Sequence, residues 1–295
     1  MSTAPAKADF LLTTGQSLWT LARRWWWLLA AFALVYGQIL VDLVREWWTN
    51  DDYSHGFLVP IAVAYLLYEK RHELAEIPPA TSWFGFIAIL LSQVVLLVGY
   101  LGAEFFLQRT SMVLFIGGVV LFMKGWRYLG AVFFGLVLIL LAIPLPAIIF
   151  NAVALPLQLL ASSWAESFLR ICQIPVYRDG NVLQLSTQLL NVTEACSGIR
   201  SLMSLVTLAM MLAYFLPMRW WARLAFIATS VPIALAANAF RVGGTGLMAR
   251  WFGQEAAEGF FHSFSGWVVF VVAFVILLSE LMLLQRLAGK RSNSE

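Results

Sequence analysis

Eight stretches of this chain are apolar for long enough to cross a lipid bilayer, and no other feature constrains its fold as strongly. They fall at about 25–44, 53–69, 83–101, 104–123, 128–145, 199–217, 222–242 and 264–284. A helix needs about 20 apolar residues to span a hydrocarbon core some 30 Å thick. Residues 83–101 supply that length without one charged side chain. In lipid every backbone N–H and C=O must be satisfied within the spanning structure, so runs of this kind are helices. The composition agrees. Hydrophobic residues make up 61% of the 295 and charged residues 12%, against roughly half and a quarter in soluble domains. The fold class is therefore an all-α polytopic membrane protein with about eight transmembrane helices. Disordered, collagen-like and disulfide-scaffold classes are excluded.

The net charge is +3, from 19 basic and 16 acidic residues. The basic residues sit at helix ends, where the positive-inside rule accounts for them and a nucleic-acid partner is not implied. With the N-terminus in the cytoplasm and all eight spans crossing, the cytoplasmic side holds Lys7, Arg23, Arg24, Lys70, Arg71, Lys124, Arg127, Arg219, Arg223, Arg286, Lys290 and Arg291. Both termini are then cytoplasmic. The first apolar run is long for a signal peptide, and no small-residue cleavage site follows it, so it is expected to stay as an anchor. The expected organisation is a cytoplasmic segment 1–24, one membrane domain 25–286 and a cytoplasmic tail 287–295.

The long interruption, 146–198, is expected on the outer face. From Asn151 to Gln173, Val153, Leu157, Leu160, Trp164 and Phe168 recur at helical spacing, with Gln158, Ser162, Glu166 and Arg170 on other faces. This pattern predicts an amphipathic helix lying on the membrane surface. Beyond Pro175, β-formers flank Asp179-Gly180, which predicts an extracytoplasmic β-hairpin with a type I′ turn. Residues 189–192 can add a third short strand.

This topology puts the reactive residues on one side of the membrane. Cys196 stands at the outer start of the sixth span, Arg241 at the outer end of the seventh and His262 at the outer start of the eighth. A nucleophile, a fixed cation and a base thus come from three consecutive helix ends. Ser197 is expected to cap the helix that follows. The helix dipole and Arg200 would both favour the Cys196 thiolate, the reactive form, while Glu194 would oppose it. Three readings of Cys196 stand open: nucleophile, disulfide partner of Cys172, or inert packed thiol. Arg241 either stabilises an oxyanion or snorkels to the interface, and Asn238, one turn earlier, can orient it. His262 is either a general base or a solvated interfacial residue. His55 begins the second span within Asp51-Asp52-Tyr53-Ser54-His55-Gly56, which is either a metal- or substrate-binding stretch or, the reading preferred, a polar loop that positions a helix. Arg109, inside the fourth span near Glu104, is a charge in a costly place and so a functional candidate. No Cys/His cluster exists, and Gly243-Gly244-Thr245-Gly246 lacks the P-loop lysine, so neither a metal nor a nucleotide cofactor is expected.

Four stretches together resemble the exosortases of the exosortase/archaeosortase group. They are Tyr53-Ser54-His55-Gly56-Phe57-Leu58-Val59-Pro60, Glu194-Ala195-Cys196-Ser197-Gly198-Ile199-Arg200, Asn238-Ala239-Phe240-Arg241 and Phe261-His262. The resemblance covers most of the chain from Asp52 onward. It implies a membrane cysteine protease or transpeptidase of the bacterial inner membrane, active at the periplasmic face. Its implied partners are exported proteins with PEP-CTERM signals: a Pro-Glu-Pro motif, a transmembrane helix and a basic tail. Around it would be membrane lipids, and a surface glycan or lipid could be the acceptor. It further implies Cys196 as nucleophile, Arg241 as transition-state stabiliser and His262 as acid and base; Glu194, Ser197, Asn238, His55 and Arg109 are the candidate substrate-binding or supporting residues. Two other function classes suit a polytopic chain: a transporter, and a non-catalytic scaffold held by a Cys172–Cys196 disulfide.

Overall fold

The computed structural model describes residues 5–185, 188–191, 198–216, 219–253 and 260–292, with the side chains of 5–25, 188, 190–191, 249, 260–265 and 286–292 left aside. The chain divides into two units, residues 1–46 and 47–295. The first is most of helix α1 (Pro5–Thr49), which is long and apolar enough to cross a membrane from Trp26 onward.

In the second unit the expected span 53–69 is built in two parts. A 3-10 turn, Asp51–Phe57, leads into α2 (Leu58–Glu69). Seven residues at ~2.0 Å and twelve at ~1.5 Å give about 32 Å, enough to match the hydrocarbon core. A short helix α3 (Arg71–Glu76) follows. Lys70, at the end of α2, ties this end of the bundle together. Its Nζ donates to the Ala131 carbonyl at 3.3 Å, lies 5.3 Å from the centre of the Tyr214 ring and pairs with Glu73 at 3.7 Å. Burial alone would lower its pKa, but the Tyr214 hydroxyl and the Glu73 carboxylate outweigh it and hold the ammonium above its ordinary value.

Helices α4 (Trp83–Leu101) and α5 (Phe105–Lys124) form a tight hairpin. The buried residues of α4 are Gly85, Ser92 and Gly99, seven apart. A seven-residue repeat of small side chains lets two helices touch backbone to backbone along a left-handed seam. A Cβ on Gly85 would lie 2.1 Å from the Phe122 nitrogen, and one on Gly99 2.9 Å from the Gln108 nitrogen. The rest of α4 exposes large apolar side chains, Trp83, Phe84, Ile87, Leu90, Leu91 and Val94 among them, as a lipid-facing helix should. Helix α6 (Trp126–Leu141) packs between α5 and α2.

Helix α7 runs from Ala147 to Ile171. It starts one turn before the amphipathic stretch 151–173, because Ala147-Ile148-Ile149-Phe150 continue the apolar pattern after Pro146. Its 25 residues are long and apolar enough to span. A three-stranded antiparallel sheet follows: β1 (Val176–Asp179), β2 (Val182–Leu185) and β3 (Gln188–Asn191), in that order. The expected hairpin is present, but its turn is centred one residue later than predicted. Asp179 pairs with Val182, so the two loop residues are Gly180 and Asn181. Gly180 has φ +60° while Asn181 is absent from the positive-φ residues, the requirement of a II′ turn rather than I′. Packing fixes this register: Leu183 and Leu185 point together against Ala165 and Leu169 of α7, and a one-residue slip would bury Gln184 instead. Glu166 locks the sheet to α7 by accepting from Arg178 Nε at 2.9 Å while pairing with Arg170 at 2.6 Å.

The last three helices are α8 (Ile199–Phe215), α9 (Trp220–Phe252) and α10 (Phe260–Ser292). They share one core of Leu205, Ala209 and Ala213 from α8, Phe226 and Ala234 from α9, and Ala273, Leu277 and Leu281 from α10. Alanines at the contacts bring the helices close, which is how dispersion forces hold a bundle in lipid. Thr229 adds a hydrogen bond across it, donating to Glu280 Oε1 at 2.7 Å. Helices α9 and α10 both have 33 residues, about 50 Å, and so exceed the bilayer core.

Candidate active site

Because α8, α9 and α10 pack side by side in alternating directions, the start of α8, the later part of α9 and the start of α10 meet at one end. Two glycines set how closely. Gly198 is the N-cap of α8 and takes a left-handed φ of +79°. A Cβ there would lie 2.7 Å from Asn238 Cγ and 2.9 Å from Nδ2. The buried Asn238 side chain therefore rests directly on the Gly198 backbone. Gly266, on α10, plays the matching part: its Cβ would lie 3.2 Å from Arg241 Cζ and 3.3 Å from Nη2. Asn238 and Arg241 are neighbours on α9 at i, i+3, about 5–6 Å apart.

These contacts bracket the sequence candidates. Cys196, Glu194 and Ser197 lie outside the described residues. Cys196 precedes Gly198 by two residues in the sequence. His262 lies in the first turn of α10, four residues before Gly266 and so about 6 Å away along the helix; its side chain is outside the described set. The expectation that Ser197 caps α8 is corrected: the N-cap is Gly198, with no side-chain hydrogen bond, because only glycine tolerates both the left-handed backbone and the pressing Asn238.

Arg200 has partners of its own. Its Nε bonds Asp52 Oδ1 at 3.2 Å and its Nη2 lies 3.3 Å from Asp51 Oδ2. It fastens the start of α8 to the 3-10 turn. That turn is itself pinned. Asn50 caps it by accepting from the Asp52 N–H, the Leu145 N–H donates to the Tyr53 hydroxyl at 3.1 Å, and a Cβ on Gly56 would strike the Trp47 indole at 2.4 Å. Trp47 Nε1 in turn donates to the Ala142 carbonyl at 2.8 Å. The polar stretch 51–56 therefore positions a helix, as read from the sequence.

His55 and Arg109 stand on other elements, the 3-10 turn and α5. His55 is buried in the turn, and among the described residues neither ring nitrogen makes a well-aligned hydrogen bond, although the Leu141 and Asp52 carbonyls stand near enough to act on it electrostatically. It borders a cavity shared with α8 and α10. Arg109 is buried in α5, with its guanidinium 5.8 Å from the Phe105 ring centre, and the main neighbours of α5 are α4 and α6. Glu104 caps α5 by accepting from the Phe106 N–H. Cys172, at the end of α7, is an exposed free thiol; Cys196, its partner in the scaffold reading, lies outside the described residues.

Sequence reasoning missed the part played by Gly243 and Gly246. Their missing side chains admit Phe168 and Leu169 of α7, which a Cβ would meet at 2.6 and 3.1 Å. The glycine cluster is thus a helix-packing seat immediately behind Arg241. Among the described residues no three His, Cys, Asp or Glu side chains gather as a metal site would require.

No curated protein and no solved structure matches the chain. A family model does, over residues 47–279, the family being described as transmembrane exosortase. The match contains the pinned 3-10 turn and all the residues of the three-helix cluster. The chain therefore belongs to the transmembrane exosortase family, multi-pass membrane proteins with a sorting-related role of the protease or transpeptidase kind.

Proposed function

We propose that this protein is a membrane cysteine protease or transpeptidase that cleaves PEP-CTERM-type sorting signals from exported proteins at the outer face of the bacterial inner membrane. The observation that supports the reading is the pair of glycine contacts, Gly198 on Asn238 and Gly266 on Arg241, which draws the start of α8, the part of α9 that bears Arg241 and the early part of α10 to one end of one bundle.

In this mechanism the Cys196 thiolate attacks the scissile carbonyl carbon and forms a C–S bond. The carbonyl oxygen becomes an oxyanion, which the Arg241 guanidinium stabilises through charge-assisted hydrogen bonds. Asn238 orients that guanidinium from one turn away. The C–N bond then breaks as protonated His262 gives its proton to the leaving amine, and a thioester results. Water or an acceptor nucleophile gives a proton to the now neutral His262 and attacks the thioester, and the C–S bond breaks to restore the thiolate. Hydrolysis releases the exported protein; transfer joins it to a surface glycan or lipid. The substrate's own membrane helix keeps it in the plane of the bilayer and raises its effective concentration.

The test is co-expression with an exported reporter that ends in a Pro-Glu-Pro motif, an apolar helix and a basic tail. A shorter reporter with wild-type enzyme and an uncut one with Cys196→Ala is expected. Equal processing by Cys196→Ala would remove the thioester mechanism.

A further inference from the structure

Directly inward of the three-helix cluster lies a cavity of about 290 Å³. Its walls are Ser54, His55 and Leu58 from the turn and the start of α2, Ser204, Thr207, Leu208 and Met211 from α8, and Phe270 from α10. We propose that this cavity is a substrate subsite that seats the apolar face of the membrane helix following the cleaved bond. The inference rests on the proposed cleavage and adds where the substrate is held.

Position is the first argument. Along α8, residues 204 to 211 lie about 9–20 Å inward from Gly198, and along α10 Phe270 lies about 6 Å inward from Gly266. The cavity therefore lies on the same two helices as the cluster, about one to four turns further along them. A substrate cut at the cluster, with its membrane helix entering next, must run down past this opening.

Chemistry is the second. Ser204, Thr207, Leu208 and Met211 follow one face of α8 at i, i+3, i+4 and i+7, the spacing with which helices receive helices. Small hydroxyl residues on a membrane helix mark places where another backbone comes close. Here the face borders empty volume. Thr207 is only 4% exposed, and its Oγ1 is buried with no hydrogen-bond partner among the described residues. Leu58, Leu208, Met211 and Phe270 supply the apolar lining, and Met211 can adapt to side chains of different shape. At this volume, near the lower end of the ~300–1,000 Å³ range of small-ligand pockets, the cavity accepts one or two bulky side chains from one face of a helix.

Two measurements test it on the full-length enzyme in membranes. In the first, Cys196→Ala enzyme is co-expressed with reporters carrying benzoylphenylalanine at successive positions of the membrane helix. Cross-links to the peptide around 204–211, recurring at three- to four-residue spacing, are expected. Cross-links only to lipid, or without that period, would overturn the subsite. In the second, Leu208→Trp fills the cavity of otherwise wild-type enzyme. Reporters with Leu or Phe at the cross-linking positions are expected to be cut at least about tenfold more slowly, and Ala at those positions restores cutting. Equal loss with both reporters, or no loss, would overturn it. Cutting by wild type without cross-links at 204–211 refutes the subsite alone. No cutting by wild type refutes the protease reading itself, and the cross-links still judge the seat.

Discussion

Gly198 and Gly266 both make room for a side chain of α9, yet alanine should act oppositely at the two. At Gly198 the backbone φ is +79°, and a residue with a Cβ pays about 1–2 kcal/mol to hold it. Its Cβ would also sit 2.7 Å from Asn238 Cγ, and overpacking of that kind costs about 1–3 kcal/mol. Gly198→Ala should therefore lose about 2–5 kcal/mol in stability and most of its activity. Gly266 has no positive φ and lies inside α10, where alanine is favoured over glycine by about 0.5–1 kcal/mol. Its Cβ would press only the end of Arg241, at 3.2–3.4 Å. Gly266→Ala should thus keep or raise thermal stability while moving the guanidinium by a few tenths of an ångström. A misplacement of 1 Å can cost about a hundredfold in rate, so a loss of about 3–10-fold in reporter processing is expected. Thermal unfolding in detergent, followed by tryptophan fluorescence, and processing in cells separate the two effects. Asn238→Ala added to Gly198→Ala should restore only part of the packing loss, because the Cβ at 238 would still lie 2.9 Å from the new Cβ, and none of the backbone part. The reasoning fails if Gly266→Ala processes like wild type, or loses stability and activity together.

Two further outcomes follow from contacts away from the cluster. In a double-mutant cycle of Asp52→Asn and Arg200→Gln, the partly exposed pair should show a coupling of about 1 kcal/mol, roughly fivefold in processing rate; simple additivity of the two losses would mean that the pair does not hold α8 in place. Gly85→Leu drives a side chain into the α5 backbone, where even a Cβ would lie 2.1 Å from the Phe122 nitrogen, and should sharply lower the yield of folded protein, whereas Leu90→Ala on the exposed face should not; equal yields would refute the close seam.

Most spans were legible because lipid imposes one requirement on every residue of a run, and hydropathy reads it directly; α7, read as lying on the membrane surface, is itself long and apolar enough to span. Their ends were less so. Helices α9 and α10 carry on past 242 and begin before 264, in residues mixed enough in polarity to resemble loops. The Asp-Gly signal located the hairpin but not its centre, since Gly180-Asn181 is as good a turn pair and the choice lay with Leu183 and Leu185 against α7. At the candidate site, sequence order and topology put Cys196, Arg241 and His262 at one level. Neither could reveal that Asn238 rests on Gly198, or that Arg200 is held by Asp51 and Asp52, because these contacts join segments with no local pattern in common. His55 belonged to a motif yet faces a cavity below the cluster, a distinction that only packing makes.

The glycine and serine seam of α4 also bears on how the chain is made. Helix α5 carries Gln108, Arg109 and Ser111 in its first half, and side chains of that sort resist entry into lipid when a segment is offered by itself. Helix α4 has no charged residue, leaves the ribosome first and partitions readily. Only three residues separate the two helices, and Gln108 Nε2 donates to the Gly99 carbonyl at 3.1 Å. The second helix can then enter as one half of a hairpin, already folded against the first, so that biogenesis and final packing use the same surface.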